Sequence, residues 1–144
     1  MIKLICVGKI KEQYLKVLIN DYLKRINKYH KLDIIELKDS NKIDESKEIL
    51  KYVNSKDYII TMDINGNKLS SVELSKKIDN LLMNYSNITF IIGGSYGLHD
   101  DVKSVSNYSL SFSDLTFPHG LFRGLLLEQV YRSFKILNNE SYHK

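Results

Sequence analysis

Ser113–Lys144 reads SDLTFPHGLFRGLLLEQVYRSFKILNNESYHK, and a little upstream Ile88–Leu98 reads ITFIIGGSYGL. The first stretch holds the only proline of the chain, Pro118, at the mouth of the longest apolar helix pattern. It closes on a short polar tail, Tyr142-His143-Lys144. The second stretch is an apolar strand that runs into a glycine turn. The rest of the chain reads as the strands and helices that hold these two pieces in place.

Ile2–Val7 is a near-continuous apolar run, as expected of a strand covered on both faces, and Gly8-Lys9 breaks it. From about Lys11 to Tyr29, the residues Tyr14, Leu15, Val17, Leu18, Tyr22, Leu23 and Ile26 recur at helical spacing. Further strands are predicted at Leu32–Leu37, Tyr58–Met62, Ile88–Ile92 and near Tyr108–Phe112. Helices are predicted over Ile43–Val53, after Ser70, around Asp101–Val105 and from about Gly120 to Leu137. Asp63 ends the third strand, and Asn65-Gly66-Asn67 reads as a turn. Ser70 precedes Glu73 at capping-box spacing, and Val72, Ile78, Leu81 and Leu82 give the helix that follows one apolar face. Strands alternate with helices throughout, so the fold class is α/β with a mainly parallel sheet, in one domain over residues 1–144.

The chain is long enough for a real core. No apolar run approaches the roughly 20 residues needed to cross a bilayer. The opening segment lacks a basic n-region and reads as a strand rather than a signal peptide. A single cysteine, Cys6, excludes an internal disulfide and argues against a cysteine-based metal site; inside a strand pattern it reads as a packing residue. A cytoplasmic protein is expected. The net charge of +4, with a pI near 9.0, suits an anionic partner such as nucleic acid, and equally suits a lysine-rich solvated surface.

Gly93-Gly94-Ser95-Tyr96-Gly97 stands at the carboxyl end of a strand, where open α/β sheets bind ligands. It fails the G-x-G-x-x-G dinucleotide fingerprint because residue 92 is Ile, and no phosphate loop is present. Its glycines alone fit a tight turn as well as a ligand site. Asp114–His119 is an irregular segment with apolar side chains expected to face inward and backbone amides free. Pro118 restricts Phe117 to an extended conformation and sets up the helix start. Apolar walls with main-chain hydrogen bonds suit an adenine pocket, although an ordinary strand-to-helix loop has the same outline.

The last helix has two apolar sides. Leu126, Leu127, Val130, Phe134 and Leu137 form one stripe; Leu121 and Leu125 lie opposite, with Gly124, Glu128 and Arg132. One side fits the sheet and the other a second subunit, with Gly120 and Gly124 permitting close approach. Glu128 and Arg132 have the spacing of a local ion pair, while Arg123, Arg132 and Lys135 also suit phosphates. His119 and His143 are the histidines placed where chemistry can occur. No second ligand stands at a usual metal spacing, so no metal is expected, and His30 and His99 read as surface residues.

Taken together, GGSYGL after an apolar strand, LTFPH, R-x-x-x-x-EQ-x-YR-x-F-K-I and the terminal YHK resemble the RlmH family. These are ribosomal large-subunit pseudouridine methyltransferases of the SPOUT superfamily. The likeness spans the whole chain and includes T-x-D-x-x-G at Thr61–Gly66. It implies an α/β knot with helices on both sheet faces and a C-terminal trefoil. It also implies a homodimer that uses S-adenosyl-L-methionine and, with neither metal nor membrane, methylates N3 of the pseudouridine numbered 1915 in helix 69 of 23S rRNA in the assembled ribosome.

By position, the resemblance places Met62, where the family usually has Leu, and Gly94 at the cofactor pocket. Ser113, Asp114, Leu115, Thr116, Phe117 and Pro118 would form the knotted loop around the cofactor. His119, Arg123, Glu128, Tyr131, Arg132, Tyr142, His143 and Lys144 match the family's polar positions near the reacting centre and RNA. The chain departs at Ser95-Tyr96 and carries Gly120 and Gly124 where bulkier residues are common. His143 is the first candidate to remove the N3 proton or stabilise the anion, followed by His119 and Glu128. Tyr142 is expected to stack on the base, and Arg132 and Lys144 to hold phosphates, with Arg123 beside them. Two other classes remain. One is a non-catalytic ribosome-binding or assembly protein that retains the fold; the other is a nucleotide-dependent oxidoreductase, against which the failed glycine fingerprint counts.

Overall fold

Strand and helix alternate from end to end in the computed structural model, which describes residues 1–144. The strands are β1 (Ile2–Val7), β2 (Leu32–Leu37), β3 (Tyr58–Lys68), β4 (Ile88–Ile92) and β5 (Tyr108–Ser111). The helices are α1 (Gln13–Asn27), α2 (Lys42–Lys51), α3 (Ser71–Asn84), α4 (Asp100–Val105) and α5 (His119–Leu137). The five strands form one sheet in the order β2-β1-β4-β3-β5, with every pairing parallel. Every residue of central β4 is buried, as its unbroken apolar run requires when both faces are covered.

α1, α3 and α5 pack on one face of the sheet and α2 and α4 on the other. Ile2, Leu4, Cys6, Phe90 and Leu110 meet α5 residues Leu126, Leu127, Val130 and Phe134 on the first face. Ile5, Val7, Ile59 and Ile91 meet Ile49 and Val102 on the second. Cys6 is a packing residue, and burial pushes its thiol up to about 11. α5 leaves edge strand β5 and runs back between α1 and α3, the course expected of the knotted C-terminus. No helix is long and apolar enough to cross a membrane.

Local signals set several boundaries. The Ser70 hydroxyl accepts from the Glu73 amide while the Glu73 carboxylate accepts from the Ser70 amide, so the capping box forms in full. Three readings need correction. β3 continues beyond Met62 to Lys68, because after an irregularity Asn67 and Lys68 pair again with Leu110 and Ser111. Val72 lies on the exposed side of α3, where Leu74, Ile78 and Leu81 face the core. On α1 the buried positions are Leu15, Ile19 and Ile26, whereas Tyr14 and Val17 are 71% and 59% exposed.

At the amino-terminal end of the strands, Asp57 is buried among donors. It accepts from Lys3 at 2.8 Å, Thr89 at 3.1 Å, Asn87 at 3.0 Å and the Asn54 amide at 3.2 Å. Burial works against its charge, but the hydrogen bonds and the lysine outweigh it and hold the carboxyl below its usual range.

Candidate active site

The carboxyl ends of β3, β4 and β5 open on a cavity of about 400 Å³, within the range that takes a nucleoside-sized ligand. Met62, Asp63 and Ile64 line it from β3. Ile92 to Ser95, Gly97 and Leu98 line it from β4 and its turn. Leu110 to Ser113, Leu115 to Phe117, His119 and Phe122 complete the wall. The Gly97 amide donates to the Gly94 carbonyl at 2.9 Å, and Gly97 has a φ of +76°, a conformation that glycine adopts without strain.

The loop after β5 is held by its own side chains. Ser111 Oγ donates to the Ser113 carbonyl at 3.1 Å, and Ser113 Oγ accepts from the Leu115 amide at 3.0 Å. The Thr116 and Phe117 amides make no bond within the chain, which leaves them for a ligand. Phe117 stacks on Phe122, which also meets Phe112. Of the expected cofactor residues, Met62, Gly94, Ser113, Leu115, Thr116 and Phe117 line the cavity. Asp114 and Pro118 do not: Asp114 turns outward to an ion pair with Lys68, and Pro118 precedes α5 as its N-cap. The loop is also less inward-facing than expected, since Leu115 is 72% exposed at the rim.

His119 lies at the start of α5, and its Nε2 is 3.0 Å from the Val7 carbonyl. A carbonyl only accepts, so Nε2 donates and Nδ1 is the nitrogen left with a lone pair. The remaining expected polar residues gather farther along the helix. Tyr142 Oη donates to Glu128 Oε1 at 3.0 Å, Arg132 Nε donates to the same oxygen at 2.9 Å, and Arg132 Nη1 lies 3.0 Å from His143 Nδ1. The Arg132 guanidinium also covers the Tyr142 ring at 4.8 Å. The hydrogen bond to Glu128 raises the Arg132 pKa against partial burial. Burial, followed by hydrogen bonding to Tyr22 and Glu128, pushes the Tyr142 phenol well above its usual value. Lys144 is exposed at the end of this tail.

The tail folds back because Asn139 takes a φ of +54°. The Asn139 and Glu140 amides then bond to the Ile136 and Lys135 carbonyls, a Schellman closure of α5. Glu140 fixes the turn further by accepting from Tyr29 at 2.8 Å and Lys135 at 2.9 Å. Asparagine is among the few non-glycine types that adopt this conformation readily, so Asn139 is the signal in the sequence for the reversal.

Two expectations fail. Arg123 does not face RNA: it is 1% exposed, with Nη1 on Glu36 Oε2 at 2.7 Å and Nη2 on the Gly8 carbonyl at 3.0 Å. The glycines of α5 do not receive a second subunit. A Cβ at Gly120 would meet Leu15 and Ile10, and one at Gly124 would meet Leu18, so both admit the chain's own α1 and the segment before it. The expected catalytic residues are also divided. His119 stands at the cavity, whereas Glu128 and Arg132 lie about 14 and 20 Å along α5, at a rise of about 1.5 Å per residue.

Cavity-lining residues Asp63, Phe112 and Phe122 were not foreseen as site residues. Asp63 had a usable signal, its place at the carboxyl end of a strand. The two phenylalanines carry no comparable signal.

Residues 1–143 match the family described as "Predicted SPOUT methyltransferase". The chain is 49% identical to the ribosomal RNA large subunit methyltransferase H of Clostridium botulinum strain Alaska E43 and 46% identical to that of Clostridium tetani strain Massachusetts. Each alignment covers 99% of both proteins. Among solved structures, the A. aeolicus TrmH/SpoU tRNA modifying enzyme superposes with a TM-score of 0.53 at 9% identity, over 95% of this chain and 77% of that one, a likeness of fold. The cofactor of such methyltransferases is S-adenosylmethionine, and the residues present fit it: a nucleoside-sized cavity, apolar walls and two free loop amides. By fold, by cavity and by sequence along nearly its whole length, the chain belongs to the SPOUT methyltransferase family.

Proposed function

We propose that the chain, a single domain over residues 1–144, methylates N3 of the pseudouridine at position 1915 of 23S rRNA. It acts on helix 69 in the assembled ribosome, in the cytoplasm and as a homodimer. The observation that carries this reading is a cofactor-sized cavity joined by one helix to a cluster of aromatic, cationic and imidazole groups. S-adenosylmethionine bound in the cavity supplies an electrophilic methyl group. The loop amides of Thr116 and Phe117 would hold the adenine, and Met62 and Phe117 would exclude water around it, with Leu115 at the rim. Methyl transfer is an in-line displacement, so placing the uracil ring is the protein's main task.

The tail cluster supplies that placement. Tyr142, held by Glu128 and flanked by Arg132, offers an aromatic face to the base, and Arg132 and Lys144 offer charge to phosphates. His143, with Nδ1 turned to Arg132, presents Nε2 as a donor to the anion that develops as the N3 proton leaves. The separation along α5 keeps this cluster from the cavity of its own subunit. A second subunit packed on Leu121 and Leu125 brings the tail of one chain to the cavity of the other. Mass spectrometry of 23S rRNA from cells with and without the protein tests the reading: loss of the methyl at position 1915 is expected without it, and an unchanged nucleotide overturns it.

A further inference from the structure

Glu45 lies in the first turn of α2, outside the cavity wall, and is 3% exposed. Its Oε2 accepts from the Ser40 amide at 2.8 Å, and its Oε1 has no hydrogen-bond partner. No ion pair includes it. The one buried cation, Arg123, is engaged by Glu36 and the Gly8 carbonyl. The unpartnered oxygen presses on the turn after β4: a Cβ on Gly94 would lie 2.9 Å from Oε1 and 3.1 Å from Val7 Cγ1. Gly94 also lines the cavity, so its main chain has the carboxylate against one side and the ligand space against the other.

A buried carboxylate oxygen with neither donor nor cation is costly. A positively charged ligand across one glycine relieves that cost without displacing anything. S-adenosylmethionine carries a sulfonium charge; after the methyl leaves with the nucleophile and the N3 proton goes to solvent, the product is a neutral thioether. The ammonium and carboxylate of the methionine part cancel in both. We propose that Glu45 makes the cavity select the cationic cofactor over its demethylated product. This inference rests on the family's cofactor. Its carboxylate acts through the field that it sets up across Gly94, so the same group that favours loading of the cofactor favours release of the product.

Calorimetry on the full chain decides it, with S-adenosylmethionine, S-adenosylhomocysteine and sinefungin, in which an ammonium-bearing carbon replaces the sulfonium. Wild type is expected to bind both cationic ligands more tightly than the thioether. Glu45→Gln keeps an oxygen for the Ser40 amide and removes the charge. It is expected to reduce that preference by about tenfold, chiefly through weaker binding of the cations. Equal weakening of all three ligands means that Glu45 only braces the turn, and overturns the proposal. If the variant does not fold, wild type alone decides, because equal affinities for cation and thioether also overturn it. Binding of none of the three would instead remove the cofactor reading on which the proposal stands.

Discussion

Arg132 Nη1 stands 3.0 Å from Nδ1 of His143. A guanidinium has no acceptor, so Nδ1 must accept and the ring proton sits on Nε2. The geometry therefore favours His143 as a stabiliser of developing negative charge over a role as the proton's acceptor. Removing Tyr142–Lys144 is expected to leave the fold and cofactor affinity nearly intact, while single-turnover methyl transfer on saturating ribosomes falls by orders of magnitude. His143→Ala should reproduce much of that loss. Transfer by the truncated chain at the wild-type rate would reduce the tail to a terminal ornament of α5.

Gly94→Ala tests the turn beside the cavity. The new Cβ points at Glu45 and Val7 rather than into the ligand space, so it acts by shifting the turn. S-adenosylmethionine affinity is expected to fall by about tenfold, or roughly 1.4 kcal/mol. Calorimetry on a variant with unchanged circular dichroism checks this.

Arg123→Met removes a guanidinium that joins α5 to Gly8, just past β1, and to Glu36 on β2. Leaving the buried Gly8 carbonyl without its donor is expected to cost about 2 kcal/mol in urea unfolding, while Glu36 stays solvated at the surface. Glu36→Gln alone should therefore cost less than Arg123→Met. If Arg123 instead met RNA, the single variant would lose ribosome affinity and keep its stability.

Asp57 sets a pH dependence. Its folded-state pKa is depressed, so its stabilisation is present above the unfolded value of about 3.9 and is lost as pH falls through the folded value. Asp57→Asn is expected to lower unfolding stability by about 2 kcal/mol at pH 7. The gap from wild type should narrow below about pH 4. Because Asp57 lies at the end of the sheet away from the cavity, cofactor affinity at neutral pH should not change.

Leu125→Arg tests the second subunit. Leu121 and Leu125 remain partly exposed on α5, and Tyr14 and Val17 are exposed on the neighbouring helix α1. A charge at Leu125 is expected to give monomers in sedimentation and to abolish ribosome methylation while cofactor binding survives. A wild-type chain that sediments as a monomer at working concentration would remove the dimer.

What the sequence disclosed was local. Ser70 and Glu73 are three residues apart and state their own capping geometry; the apolar run Ile88–Ile92 states its own burial. What it concealed depends on distant partners. Asn65-Gly66-Asn67 has the composition of a turn, but β5 draws that segment into the sheet, and a Cβ at Gly66 would strike the Ser109 backbone at 2.8 Å. Arg123 looked like a free cation because Glu36 is 87 residues away. Glu45 drew no notice, since nothing in a short helix announces that one of its acids will end beneath a glycine of the fourth strand's turn. The catalytic set was named residue by residue, but its division along α5 appears only when the helix is given its length.

The return of α5 between α1 and α3 also governs how the chain is born. Translation delivers the sheet and four helices before the last helix leaves the ribosome, so the strip of the nascent sheet between α1 and α3 waits uncovered. Ile2, Leu4, Phe90 and Leu110 then face water along a groove that only Leu126, Leu127, Val130 and Phe134 will fill. A ribosome that stalls before α5 emerges thus releases a chain with most of its fold encoded and a sticky furrow through its middle, a natural client for chaperones and proteases.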